Sequence, residues 1–144
     1  AKLPAPRRTR VHWRDFLDQL RSHVTFVDAA PVDPSLTGSF DPAQIEQALL
    51  NLLRNAHEAS GDPAAVTIAL RRGVDDWRIE VLDRGSGMSK AVLENALLPF
   101  YSTKRNGTGL GLALAREIAE AHGGRIALLN REDGGLCVTM VLPD

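Results

Sequence analysis

A chain of 144 residues, 44% hydrophobic and 24% charged, has the length and composition of one globular domain that needs no disulfide or structural metal. Its 17 basic and 18 acidic side chains leave a net charge of −1, which excludes a non-specific nucleic-acid binder with a dominant basic face. No segment has the apolar length of a membrane span and no signal peptide is visible, so no direct membrane contact is expected.

Residues Ala1–Pro6 carry two prolines and read as the end of a linker; the first residue is Ala rather than Met. A cytoplasmic piece of a longer parent is therefore expected, and the parent itself can be membrane-anchored. The run Arg7-Arg8-Thr9-Arg10 reads as a solvated segment rather than a polyanion site. Trp13, Phe16, Leu17 and Leu20 recur at helical spacing and predict a short amphipathic helix. Val24–Ala30 is strand-like, and Leu36–Phe40 predicts a second short strand.

Asp41-Pro42-Ala43-Gln44 is a helix start, with an N-cap Asp, Pro in the first turn and Gln placed to close a capping box. Ile45, Ala48, Leu49, Leu52, Leu53 and Ala56 supply its apolar stripe; Gly61 and Pro63 end it near Ser60. Two strands in hairpin order follow, Val66–Arg71 and Trp77–Val81, turning at Gly73 and Asp75-Asp76. Ser89 caps a short helix to Leu97. Leu110–His122 is a second long helix stopped by Gly123-Gly124, and Ile126–Leu129 with Leu136–Leu142 make a last hairpin around Asp133-Gly134-Gly135. The lone Cys137 lies in an alternating apolar run and is expected to be a buried strand thiol. This order predicts an α+β two-layer sandwich, a mixed sheet with helices packed on one face.

Chemistry concentrates at three places. Asn51, Asn55 and Glu58 share one stripe beside the apolar face of the long helix. An amide oxygen there can enter a magnesium shell otherwise made of phosphates and water. Asp83 ends a strand and opens a Gly-x-Gly turn, where a carboxylate can accept from an exocyclic amine. Gly85 and Gly87 allow backbone to approach a ring, and Met88 offers it a soft apolar contact. Gly107, Thr108, Gly109, Leu110 and Gly111 lead into a helix, whose first N–H groups bind anions. Thr103 and Lys104 precede that loop, and the lysine is placed to meet a terminal phosphate. No βαβ unit surrounds the glycines and no Gly-Lys-Ser/Thr follows, so neither a dinucleotide fingerprint nor a P-loop is present.

Asn51–Ser60, Asp83–Met88, Pro99–Lys104 and Gly107–Leu112 resemble, in order, the asparagine, first glycine, phenylalanine and second glycine boxes of the catalytic, ATP-binding domain of sensor histidine kinases. That domain belongs to the gyrase, Hsp90, histidine kinase and MutL superfamily, and the likeness runs from about Arg8 to the end. The Phe-x-Ser-Thr-Lys stretch and short lid are most similar to the nitrogen-sensing type. The resemblance implies the Bergerat α/β sandwich over residues 8–144. Residues 1–7 would then be a linker from an absent upstream domain that dimerises and carries the acceptor histidine. It also implies ATP and Mg²⁺ as cofactors, Asn55 as a magnesium ligand with Glu58 reaching it through water, and Asp83 reading the adenine amine. Pro99–Thr108 would be a mobile lid, and the Gly109–Gly111 amides would meet the phosphates. A response regulator, reached through the parent, is the implied partner.

Two features sharpen the reading. Superfamily members that hydrolyse ATP carry a Glu one turn before the metal-binding Asn; this chain has Asn51, and an amide cannot take a proton from water. His57-Glu58 superficially matches the acceptor motif but sits inside the Asn helix, which makes it a chance match. The alternatives are an anti-sigma-type protein-serine kinase, told apart by phosphorylation of a partner serine, and a degenerate nucleotide-binding scaffold, told apart by failure to bind ATP.

Overall fold

Four strands of alternating pattern build most of the sheet, in a computed structural model that describes residues 3–99 and 111–144. β4 (Thr67–Arg72), β5 (Asp76–Leu82), β7 (Leu136–Pro143) and β6 (Arg125–Asn130) pair antiparallel in that spatial order. β2 (Val27–Asp28) adds a short parallel edge to β4, so the sheet is mixed, in the order β2-β4-β5-β7-β6. Strand side chains alternate between faces. Trp77, Ile79 and Val81 of β5 and Leu136, Val138, Met140 and Leu142 of β7 therefore point the same way, into one core. The helices α1 (Trp13–Arg21), α2 (Pro42–Ser60) and α4 (Gly111–Ala121) bury their apolar stripes in that same core. The expected two-layer sandwich is the observed one.

α2 is the spine of the helical layer. Ile45, Ala48, Leu49, Leu52 and Leu53 are each 1% exposed or less. Burying a side chain of Leu or Ile size is worth about 1.5–3 kcal/mol, so this stripe outweighs the tenths of a kcal/mol that helix propensity supplies. Asp41 caps the helix through Oδ1, which accepts from the N–H groups of Ala43 and Gln44. Gly61, in the left-handed region at φ +72°, closes the other end. The expected capping box does not form. The Gln44 amide reaches outward instead, donating to the Pro4 carbonyl at 2.8 Å, and the Asp41 N–H donates to Nε2 of His122 at 3.1 Å.

His122 thereby ties the start of α2 to the end of α4. A backbone N–H must donate to Nε2, so the proton sits on Nδ1, which donates to the Ile118 carbonyl at 2.8 Å. The ring is 1% exposed. Burial pushes its pKa below the usual value, helped by Arg8 and opposed by the Ile118 hydrogen bond and the Asp41 carboxylate. The same cluster fastens the N-terminal segment: Arg8 donates to the His122 carbonyl at 2.6 Å, and the Arg7 N–H donates to Asp41 Oδ2 at 2.9 Å.

A pH dependence follows. An unfolded histidine takes its proton near about pH 6.5, whereas His122 resists it in the fold. Below that pH the unfolded state binds more protons, so the stabilisation held at neutral pH is lost as pH falls through the folded value. A His122→Gln variant should be less stable than the parent at pH 7.5, and the gap should narrow by pH 5.5. Urea midpoints at the two pH values would check this, and a constant gap would refute it.

One local expectation needs addition and another correction. The run Arg7–Arg10 is exposed as expected, but it enters an unforeseen strand, β1 (Thr9–His12), which pairs antiparallel with β3 (Thr37–Phe40) as a separate two-stranded sheet. Arg10 ion-pairs with Asp144 at 2.9 Å. Composition hides this strand because its partner lies far along the chain and Val11 is its one aliphatic residue. The strand expected over Val24–Ala30 shrinks to Val27–Asp28, since Thr67 and Ile68 are all that pair with it and Pro31 and Pro34 follow. The short helix is α3 (Lys90–Asn95), capped as expected by Ser89, whose Oγ accepts from the Val92 N–H.

Candidate functional site

The stripe Asn51, Asn55 and Ala59 repeats every four residues along α2, so these positions stack on one side of the helix over about 12 Å. α4 begins against its first two members. A Cβ placed on Gly111 would lie 3.7 Å from Nδ2 of Asn55 and 3.9 Å from Cβ of Asn51. The first described residue of α4 thus sits beside the two amides. Both asparagines are partly exposed, and Glu58 is exposed.

The third member of the stripe meets the other half of the site. Gly85 crosses α2 so closely that a Cβ there would lie 2.7 Å from the Ala59 carbonyl oxygen and 2.8 Å from its Cβ. The Arg84 N–H donates to Ser60 Oγ at 3.0 Å, fixing the same crossing. Glycine at this position is therefore required by contact with the helix.

Asp83 is 4% exposed and aimed by backbone. Its Oδ1 accepts from the N–H groups of Gly85 at 2.9 Å and Leu136 at 3.0 Å. No hydrogen bond among the described residues uses Oδ2, which leaves that oxygen for a ligand's donor. The residue's main chain is held as well. Its N–H donates to the Leu136 carbonyl, and its own carbonyl accepts from Arg131 Nη1 at 2.8 Å. Gly135, at φ +99°, passes so near the Asp83 carbonyl that any side chain would collide with it. Gly87 and Met88 continue the loop, with Met88 partly buried against the core. The Met88 N–H donates to Asn130 Oδ1, and Asn130 Nδ2 donates back to the Met88 carbonyl.

The structure therefore gathers Asn51, Asn55 and Gly111 at one end of the stripe, and Asp83, Gly85, Gly87 and Met88 at the other. Thr103, Lys104, Gly107, Thr108, Gly109 and Leu110 lie outside the described residues, as does all but Pro99 of the lid expected over Pro99–Thr108. Among the described residues no cluster of three His, Cys, Asp or Glu side chains could hold a metal. Sequence reasoning missed Ser60, Asn130, Arg131 and Gly135. The Gly134-Gly135 pair is the available signal: it turns the β6–β7 hairpin as expected and also cradles Asp83. Cys137 is buried as expected; burial pushes its thiol up, which marks it as inert.

Residues 40–144 match the family of histidine kinase-, DNA gyrase B- and HSP90-like ATPases, and the chain belongs to it. The chain is similar to the sensor histidine kinase ZraS of Klebsiella oxytoca, 40% identical over 104 residues, covering 72% of this chain and 22% of ZraS. It is also similar to the C4-dicarboxylate transport sensor protein DctS of Rhodobacter capsulatus, 42% identical over 109 residues, covering 72% of this chain and 16% of DctS. The chain thus spans about a fifth of such relatives' length. Among solved structures, the nucleotide-free catalytic domain of histidine kinase ThkA superposes with a TM-score of 0.80 at 27% identity, covering 94% of this chain and 95% of that one. The mycobacterial sensor histidine kinase MprB superposes at 0.78 and 22% identity, over 94% of this chain and 97% of that one, a likeness of fold alone.

Proposed function

We propose that this chain binds Mg·ATP and donates the γ-phosphoryl group to a histidine on a separate, dimerising helical domain of its parent, for relay to a response regulator. The observation that carries the reading is the α2 stripe, which sets Asn55 beside the start of α4 and Ala59 beneath the Asp83 loop. One rigid element then spaces the base from the phosphates.

In this reading Asp83 accepts the adenine amine through Oδ2, while Gly85, Gly87 and Met88 line the ring. The α4 N-terminus faces the phosphates, with Gly107–Gly111, Thr103 and Lys104 assigned to them from sequence. Asn55 suits Mg²⁺ by chemistry: a neutral oxygen donor, with phosphates and water to complete the shell. Glu58 is assigned to that shell through water. The bound ion would neutralise charge on the phosphates. The acceptor's ring nitrogen attacks the γ-phosphorus in line as the bond to the β–γ bridging oxygen breaks, and ADP departs. This chain's share of the catalysis is positioning and charge.

Of the chain's four histidines only His122 is buried with both ring nitrogens committed; the other three each bond through one nitrogen, and the acceptor is assigned elsewhere from sequence. His12 Nδ1 contacts the Pro34 carbonyl, His23 faces Glu46, His57 Nε2 contacts the Thr25 carbonyl at 2.6 Å, and His122 is buried. No helix among the described residues is long and apolar enough to cross a membrane. A cytoplasmic position, with any membrane anchor elsewhere in the parent, suits the reading. The nitrogen-sensing subtype rests on residues 99–104, almost all outside the described structure.

Radiolabelled ATP tests the proposal. The chain alone should bind nucleotide, turn it over slowly and stay unlabelled; adding the parent's helical acceptor domain should give an acid-labile label on that domain. A stable acid-labile label on this chain would place the acceptor here instead, and rapid phosphate release would point to a hydrolytic enzyme.

A further inference from the structure

Asn130 ends β6 with its side chain exposed, yet both polar atoms of its amide are committed to one residue of the glycine loop. Oδ1 accepts from the Met88 N–H at 2.8 Å, and Nδ2 donates to the Met88 carbonyl at 2.7 Å. The amide thus mimics a neighbouring strand's peptide group for a segment that has left the sheet. Gly87, at φ +73°, turns the loop towards it so closely that a Cβ there would come within 2.6 Å of Asn130 Oδ1.

The hairpin register adds the second half. Asn130 pairs directly with Leu136 across β6 and β7, and Leu136 supplies the N–H that holds Asp83 Oδ1 at 3.0 Å. The two ends of the loop, Asp83 and Met88, are therefore gripped by facing residues of one hairpin. Arg131, the next residue, holds the Asp83 carbonyl. A change of spacing between Asp83 and Met88 must break one of these ties.

We propose that Asn130 is a positioning residue for base selection: it fixes Met88, and with it the plane against which Asp83 reads an exocyclic amine, without touching nucleotide. The inference rests on the nucleotide reading above. Losing the two tethers lets the loop drift, which penalises a directional hydrogen bond more than apolar or phosphate contacts.

The test is equilibrium titration of this chain with ATP and with inosine triphosphate, which has a carbonyl in place of the amine and the same ribose and phosphates. The parent should prefer ATP. Asn130→Ala should cut that preference about fivefold, the scale of one lost hydrogen bond, almost entirely through weaker ATP binding. Asn130→Asp keeps the acceptor for the Met88 N–H and loses the donor, so its preference should fall in between. In an Asp83→Ala background, Asn130→Ala should leave the ratio unchanged. Equal loss for both nucleotides, or an unchanged ratio in the folded variant, overturns the proposal. If Asn130→Ala does not fold, an unchanged ratio in Asn130→Asp does so. A parent chain that binds neither nucleotide, or both equally, fells the base reading itself and this inference with it.

Discussion

Replacing Asn55 with Ala is expected to cut phosphotransfer to an added acceptor domain by about a hundredfold or more, the scale for removing one preorganised electrostatic group. The fold should survive. Asn55 is partly exposed on α2, and Ala is the better helix former, by tenths of a kcal/mol. What is lost is an oxygen donor beside Gly111 of α4. Initial rates with labelled ATP, beside a circular dichroism melt, would check both halves, and a rate within a few-fold of the parent would remove Asn55 from the magnesium shell. Asn51→Ala makes the complementary case: it should not create an ATPase, because neither an amide nor a methyl group takes a proton from water.

Asp83→Ala should weaken ATP binding by about 1.5–3 kcal/mol, roughly ten- to a hundredfold, the range for a hydrogen bond to a charged group. Guanine, with a carbonyl where adenine has its amine, should be rejected by the unmodified chain. Ala also strips the acceptor from the Leu136 and Gly85 N–H groups, so this variant mixes recognition with loop stability. Asp83→Asn separates them. It can keep an oxygen on those two N–H groups while presenting an NH₂ at the outer position, which repels the adenine amine and suits a guanine carbonyl. ATP binding should fall and the ATP-to-GTP preference should shrink or invert. Equal titration curves for ATP and GTP on the unmodified chain would sink the assignment of Asp83.

The helical layer was legible because α2 states itself several times over, in the Asp41 cap, the apolar stripe and the Gly61 exit, each seen as expected. The β4–β5 and β6–β7 hairpins were legible from local alternation and turn residues. β1 was not, because what makes Thr9–His12 a strand is Thr37–Phe40, and no local pattern announces a partner that distant. The capping box failed for a related reason: Gln44 and the Asp41 N–H found tertiary partners in Pro4 and His122, which a local motif cannot foresee. At the site, the residues proposed to meet ligand stood out by chemistry, as Asn55 and Asp83 did. The residues that hold the glycine loop, such as Asn130 on Met88 and Ser60 on Arg84, carry ordinary turn and helix-end chemistry until the loop lies against them.

The long reach of the ties on Asp83 bears on the order in which the molecule is made. Leu136, whose N–H aims the carboxylate, is 53 residues further along the chain, and Arg131 is 48. During synthesis α2, β4, β5 and the glycine loop all emerge before either, with Asp83 unaimed and the loop untethered. The clasp between Arg8 and His122 spans 114 residues, and that between Arg10 and Asp144 spans 134, so these ties of the N-terminal segment also wait for the end of the chain, although β1 itself pairs with the nearer β3. Contacts of such separation form late, after the loop-closure entropy has been met. A nascent or C-terminally clipped chain can thus own Asp83 and its glycine loop and still lack the ties that aim them: the loop's geometry comes with the final hairpin.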